Sequence, residues 1–263
     1  MKKSVALIIA IVMCLGLLAG CAGGGSAPAE GSGLKTVEAG KLIMSTNAAF
    51  PPYEMTTDDG GFEGIDVEVA GAIAEKLGLE LVIDDMDFDA AQLAVQEGKS
   101  DICMAGLSVT EDRKLVMDFS DTYATGVQVV IVKEGSDVTM DNLGEKMIGT
   151  QRGTTGYIYA SDTPEKGGYG EDHVIAYDNG MTAVQALING QVDCVIIDDA
   201  PAQEFVAANP GLTTLDGEWV TEDYAIGMAK NNTELVEAVN GALKELIEDG
   251  TIQNIIDKYI SAK

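Results

Sequence analysis

"LAVQEGKSDICMAG" (93–106) and "VQALINGQVDCVIID" (184–198) follow one plan. In each, a helix-like run closes on a glycine, two residues follow, and an aspartate leads a short apolar strand that carries a cysteine. Working outward from the first copy, "KLIMST" (41–46) and "ELVIDDM" (80–86) read as strands. Between them "IDVEVAGAIAEKLG" (65–78) has Val69, Ala70, Ile73, Ala74 and Leu77 at helical spacing, with Gly78 as its stop. "AAQLAVQEG" (90–98) is a second helix and "DICMAG" (101–106) a third strand. Around the second copy, "KMIGTQ", "HVIAYD" and "DCVIID" alternate as strands with helices at "TTGYIYA" and "MTAVQALING". This β-α order, met twice, predicts an α/β protein with two lobes built on mostly parallel sheets.

Two extended runs join the halves: "TGVQVVIVKEGS" (125–136) and "DYAIGMAK" (223–230). If both cross between lobes, the helices "NTELVEAVNGALKELIEDG" and "IQNIIDKYI" return to the first lobe. The expected lobes are then 34–125 with 225–263, and 126–224. Two crossings make a hinge, because few backbone angles have to change for the lobes to close.

The charge balance excludes some partners. The chain has 263 residues, with 16 Lys and Arg against 43 Asp and Glu. Nucleic-acid binding rests on neutralising phosphates with Lys and Arg, so no nucleic-acid partner is expected. The first residues read as an address. Lys2 and Lys3 precede an apolar run from Val5 to Leu18, too short for a confident membrane span. The run ends in Leu18-Ala19-Gly20-Cys21, which resembles the cleavage and acylation site of a bacterial lipoprotein signal. Residues 1–20 are thus expected to be a signal peptide, Cys21 the lipidated first residue, and 21–33 a flexible tether. Cys103 and Cys194 sit in apolar runs and are expected to be buried free thiols. Neither they nor the sole histidine, His173, has metal-ligand spacing around it, so no metal or cofactor is expected.

"AGLSVTEDR" (105–113) carries the first chemical signal. Thr110 suits a helix N-cap, with Glu111 and Asp112 in the first turn, where acids complement the dipole. Arg113 in the same turn is out of place unless an anion joins it, because backbone N–H groups and a guanidinium together make a carboxylate or phosphate site. On spacing alone, pairing of Arg113 with the many neighbouring acids is an equal reading.

Six segments decide between these readings. "STNAAFPPYEM", "GFEGIDVEVAGAIAEKLG", "AGLSVTEDRKLVMDFSDTY", "IGTQRGTTGY", "ALINGQVDCVIIDDAP" and "ELVEAVNGALKELIEDGTIQNIIDKYI" resemble, in the same order, the polar amino-acid-binding proteins of ABC importers. The likeness runs from about residue 42 onward. It implies a two-lobed, periplasmic-binding-protein-like (type II) α/β fold. The implied partners are an amino acid and an ABC permease, and the expected state is a monomer.

The resemblance also implies site roles. Arg113 stands where the family clamps the ligand's α-carboxylate, Ser108 matches a ligand-binding hydroxyl, and Gly106 offers its carbonyl to the α-ammonium. Thr155, in "RGTT", matches a threonine of the second lobe that meets the same carboxylate, and Asp198 matches the aspartate that pairs with the ammonium. Phe50 and Phe88 match aromatic walls around the side chain. Asn47 lies at the side-chain end, where many relatives carry an acid, and Gln151 faces it. The amide in place of an acid favours a polar uncharged ligand over a basic one. Tyr53 is expected to be structural, Asp66 a helix N-cap without a contact, and Asp199 a solvated acid. Two rivals stand beside capture: a cyclohexadienyl-type dehydratase, which needs a positioned general acid, and a ligand-sensing domain for a signalling partner.

Overall fold

The computed structural model describes residues 34–260. The signal-peptide, tether and Cys21 lipidation expectations lie outside the described residues. The chain opens with β1 (Lys41–Thr46), then a small antiparallel sheet of β2 (Ala49–Phe50), β3 (Glu54–Thr56) and β4 (Phe62–Glu63). Next come α1 (Ile65–Leu77), β5 (Glu80–Asp85), α2 (Phe88–Gln96) and β6 (Ile102–Cys103). The short α3 (Glu111–Val116) and β7 (Met117–Phe119) end this stretch.

β8 (Ala124–Lys133) carries the chain into a second sheet. There β9 (Ile148–Gln151), α4 (Thr155–Ser161), β10 (Val174–Tyr177) and α5 (Gly180–Ile188) follow. They are succeeded by β11 (Cys194–Asp198), α6 (Asp199–Ala208), β12 (Leu212–Thr214) and β13 (Val220–Tyr224). Finally β14 (Gly227–Ala229), α7 (Thr233–Glu248) and α8 (Thr251–Tyr259) rejoin the first sheet and its helices.

The first sheet has the order β5-β1-β6-β14-β7, with β1 parallel to β5 and β6, and β14 antiparallel to both its neighbours. The second has the order β10-β9-β11-β8-β12, with β13 also paired to β8. β9 is parallel to β10 and β11, while β8 is antiparallel to its partners. This is a two-lobed α/β fold of the type II kind. Each lobe has its own sheet, and the parallel strands of both end at the same cleft, where such folds bind ligands.

Side-chain periodicity explains the helices. On α1, Ile65, Val69, Ala70 and Ile73 are fully buried at one face. Gly78 ends the helix in the left-handed conformation (φ 66°), which a Cβ would make costly. α7 buries Leu235, Val239, Leu243 and Leu246 against α1 by the same spacing.

Two sequence expectations change. "DYAIGMAK" is not one strand: β13 and β14 belong to different sheets, and Ala225 and Ile226 between them bond instead to Leu107 and Ser120. Asp66 does not cap α1, whose N-cap is Gly64. It is fully buried and accepts from Gly106 N (2.9 Å) and Tyr123 Oη (2.6 Å), so it braces the loop that forms the cleft wall. Cys103 and Cys194 are both buried and free, as expected.

Candidate functional site

Between the lobes lies a narrow cavity lined by residues of both. Asn47, Phe50, Phe88, Gly106, Ser108, Arg113, Gln151, Thr155 and Asp198 all line it. Glu54, Ala105 and Thr154 complete the wall. Strand ends explain the convergence. Asn47 follows β1, Gln151 closes β9 and Asp198 closes β11, while Phe88 and Thr155 begin α2 and α4.

Arg113 is the cationic pole. Thr110 caps its helix by accepting from Arg113 N (3.2 Å), and the guanidinium turns inward to 6% exposure. It donates to Ser108 O (2.7 Å) and, across the cleft, to Gly153 O (3.0 Å). It also stacks over the Phe88 ring at 5.4 Å. Burial pulls its pKa below the usual value, and the nearby Glu222 charge opposes that pull. Among the described residues it forms no ion pair within 4.0 Å, so the pairing with Glu111 or Asp112 that spacing allowed does not occur. Instead Glu111 holds Lys114. A buried guanidinium bonded only to neutral carbonyls keeps most of its capacity for a carboxylate.

The opposite pole is acidic. Asp198 accepts from Gln128 Nε2 (2.8 Å) and from the Tyr224 hydroxyl, while burial pushes its pKa up to about 7. Glu54 is fully buried, and burial followed by the charge of Asp66 raises it well above the carboxylate range. Burial likewise pushes Asp66 up to about 6. A buried carboxyl is disfavoured as an anion until a cation joins it.

A third feature sets the polarity of the remaining wall. Gln151 Nε2 donates to Asn47 Oδ1 across the cleft (2.9 Å), and Asn47 Nδ2 donates to Met86 O (2.9 Å). Phe50 packs on Tyr53 with ring centroids 5.8 Å apart, and Tyr53 meets Tyr224 edge-on at 5.2 Å. Tyr53 is therefore structural, as expected. Gly106 adopts φ 53°, and a Cβ there would lie 2.7 Å from the Phe50 ring. Glycine is required at that wall.

The sequence reading missed three buried groups. Glu222, Gln128 and Tyr224 lie on the crossing strands and tie the hydroxyls of Ser108 and Thr155 and the carboxyl of Asp198 together. Trp219 is placed outside this set, packing on Tyr159 and Tyr169 in the second lobe. His173 lies half-buried with its ring by Lys146 O.

Comparison with known proteins adds the family. A family model described as bacterial extracellular solute-binding proteins, family 3, matches residues 42–262. A probable histidine-binding protein of Neisseria gonorrhoeae is 32% identical over 99% of this chain and 96% of its own. The arginine-binding extracellular protein ArtP of Bacillus subtilis is 31% identical over the whole of both chains, at 100% coverage of each. Among solved structures, an ancestral arginine-binding protein bound to glutamine is 36% identical with a TM-score of 0.78, covering 86% of this chain and 100% of that one.

Proposed function

The chain belongs to the bacterial extracellular solute-binding proteins, family 3, and on that premise we propose that it captures one polar L-amino acid between its lobes and delivers it to an ABC permease. The observation that carries this reading is the pairing of poles in one cavity, a buried guanidinium on one lobe and a buried carboxyl on the other. A zwitterion needs both, and splitting them between lobes makes closure depend on ligand. Arg113, with the hydroxyls of Ser108 and Thr155, takes the α-carboxylate. Asp198 and the Gly106 carbonyl take the α-ammonium. Phe50 and Phe88 flank the side chain, and Asn47 and Gln151 meet its polar end. A micromolar site corresponds to about −8 kcal/mol. Charged hydrogen bonds at roughly 1.5–3 kcal/mol each, with aromatic burial, reach that after the costs of association.

The hinge in this account is the pair of crossings, with 34–125 and 225–263 as one lobe and 126–224 as the other. Cys21 anchors the protein by lipid at the outer face of the cytoplasmic membrane, where it works as a monomer without cofactor. An amide-type ligand is compatible with a site of this kind, since an ancestral arginine-binding relative is solved with glutamine as well as with arginine. The relatives named for histidine and arginine make those the competing ligands.

One observation favours a second reading. Asp198 and Glu54 are carboxyls with raised pKa values in the cavity, the property a general acid needs. The test is to strip carried-over ligand by partial unfolding and refolding, then titrate each standard amino acid and cystine. Micromolar binding to one or a few supports capture. No binding, together with turnover of a cyclohexadienyl acid, supports the dehydratase.

A further inference from the structure

The hydroxyl pair assigned to the ligand's carboxylate is held by a carboxylate of the chain itself. Glu222, on β13, is 8% exposed. Its Oε2 accepts from Thr155 Oγ1 (2.6 Å), Ser108 Oγ (3.1 Å) and Gln128 Nε2 (3.3 Å). Ser108 follows β6 of the first sheet and its backbone bridges Tyr224 on β13, whereas Gln128 stands on β8 of the second sheet and Thr155 opens α4. Glu222 Oε1 is buried with no hydrogen bond within 3.5 Å among the described residues, and the Tyr159 hydroxyl lies near enough to the carboxylate that, after burial, the Glu222 charge raises its pKa. Arg113 is close enough to feel the Glu222 charge, yet the two make no ion pair within 4.0 Å among the described pairs.

The donor count decides what this arrangement can do. A serine or threonine hydroxyl has one O–H, so it donates to one acceptor at a time. While Ser108 and Thr155 donate to Glu222, neither can donate to an α-carboxylate. Two carboxylates crowded beside one guanidinium also repel each other.

We propose that Glu222 is an internal rival of the ligand: its carboxylate occupies the hydroxyls of Ser108 and Thr155, ties the two lobes through them, and yields them to the α-carboxylate of an incoming amino acid. This rests on the capture reading above. It sets a uniform handicap on every amino acid, whatever its side chain. It also bars ligands that lack an α-carboxylate, because they have nothing with which to displace Glu222.

The test compares Kd values for the full amino-acid panel between the wild-type protein, Glu222→Gln and Glu222→Ala, with thermal melting to confirm that each variant folds. Tightening of about tenfold, the worth of one charge-assisted hydrogen bond, is expected for every amino acid bound. Unchanged or weaker binding overturns the proposal, because Glu222 would then only position the hydroxyls. A crystal structure of the wild-type protein with its amino acid tests the same displacement without a variant. Glu222 Oε2 should stand beyond hydrogen-bond distance of both Ser108 and Thr155, and retention of both contacts overturns the proposal. If neither the wild-type protein nor any variant binds an amino acid, the capture reading fails and takes this one with it. Binding with an unimproved Glu222→Gln overturns this one alone.

Discussion

Gln151 donates a hydrogen bond to Asn47 across the cleft, 104 residues away in sequence, and the two amides close one wall of the cavity. The pair joins the end of β9 in the second lobe to the residue after β1 in the first. An amide pair presents both donors and acceptors but no charge, so it discriminates by hydrogen bonding rather than by sign.

Asn47→Asp puts a charge at that wall while keeping an acceptor for Gln151. Preference should shift toward arginine, lysine and histidine relative to glutamine, by about tenfold for one charged hydrogen bond. Calorimetric titration of these four ligands checks it. An unchanged ranking would mean that Asn47 does not face the side chain.

Asp198 should make stability depend on pH. Its folded pKa is about 7 against an ordinary value of 3.8, so between those values the folded chain binds a proton that the unfolded chain has released. Stability then falls as pH rises through that window, and Asp66, at about 6, adds to the fall. The melting temperature should therefore drop from pH 5 to pH 8, less steeply in Asp198→Asn. Identical slopes in the two proteins would show that the carboxyl is not raised. The same variant should bind amino acids more weakly at pH 8, since it lacks the anion that faces the ammonium.

Gly126, on β8, lies against the fully buried ring of Tyr224 on the other crossing strand, and a Cβ at Gly126 would overlap that ring. Gly126→Ala should therefore cost about 1–3 kcal/mol by overpacking. That corresponds to roughly 2–4 °C in melting temperature per kcal/mol for a chain of this size. Differential scanning calorimetry reads the shift. An unchanged midpoint would show that the ring has room to move.

Much of the fold was legible because its signals are local. The spacing of Val69, Ala70, Ile73, Ala74 and Leu77 and the stop at Gly78 belong to one helix, and the structure buries the first four of them. The poles of the site were legible only through the family resemblance, since spacing alone left Arg113 free to pair with neighbouring acids, and Asp198 by itself reads as a solvated acid at the end of β11. Glu222 was not, because a lone acid in "WVTEDY" reads as solvated. Its partners Ser108, Gln128 and Thr155 stand 114, 94 and 67 residues away. Asp66 was misread for the same reason, its ligands being Gly106 and Tyr123 rather than its own helix. The break in "DYAIGMAK" was hidden because pairing with two different sheets leaves no mark on local propensity.

The central claim is that Arg113 holds a group common to every amino acid the protein binds. Calorimetry of wild-type and Arg113→Ala protein, both stripped of carried-over ligand, against the same panel tests it most directly. The account predicts micromolar or tighter binding by the wild type, and a loss of at least tenfold in the variant for every ligand, as one charged hydrogen bond requires. Affinities within about twofold of wild type would contradict it and place the carboxylate elsewhere.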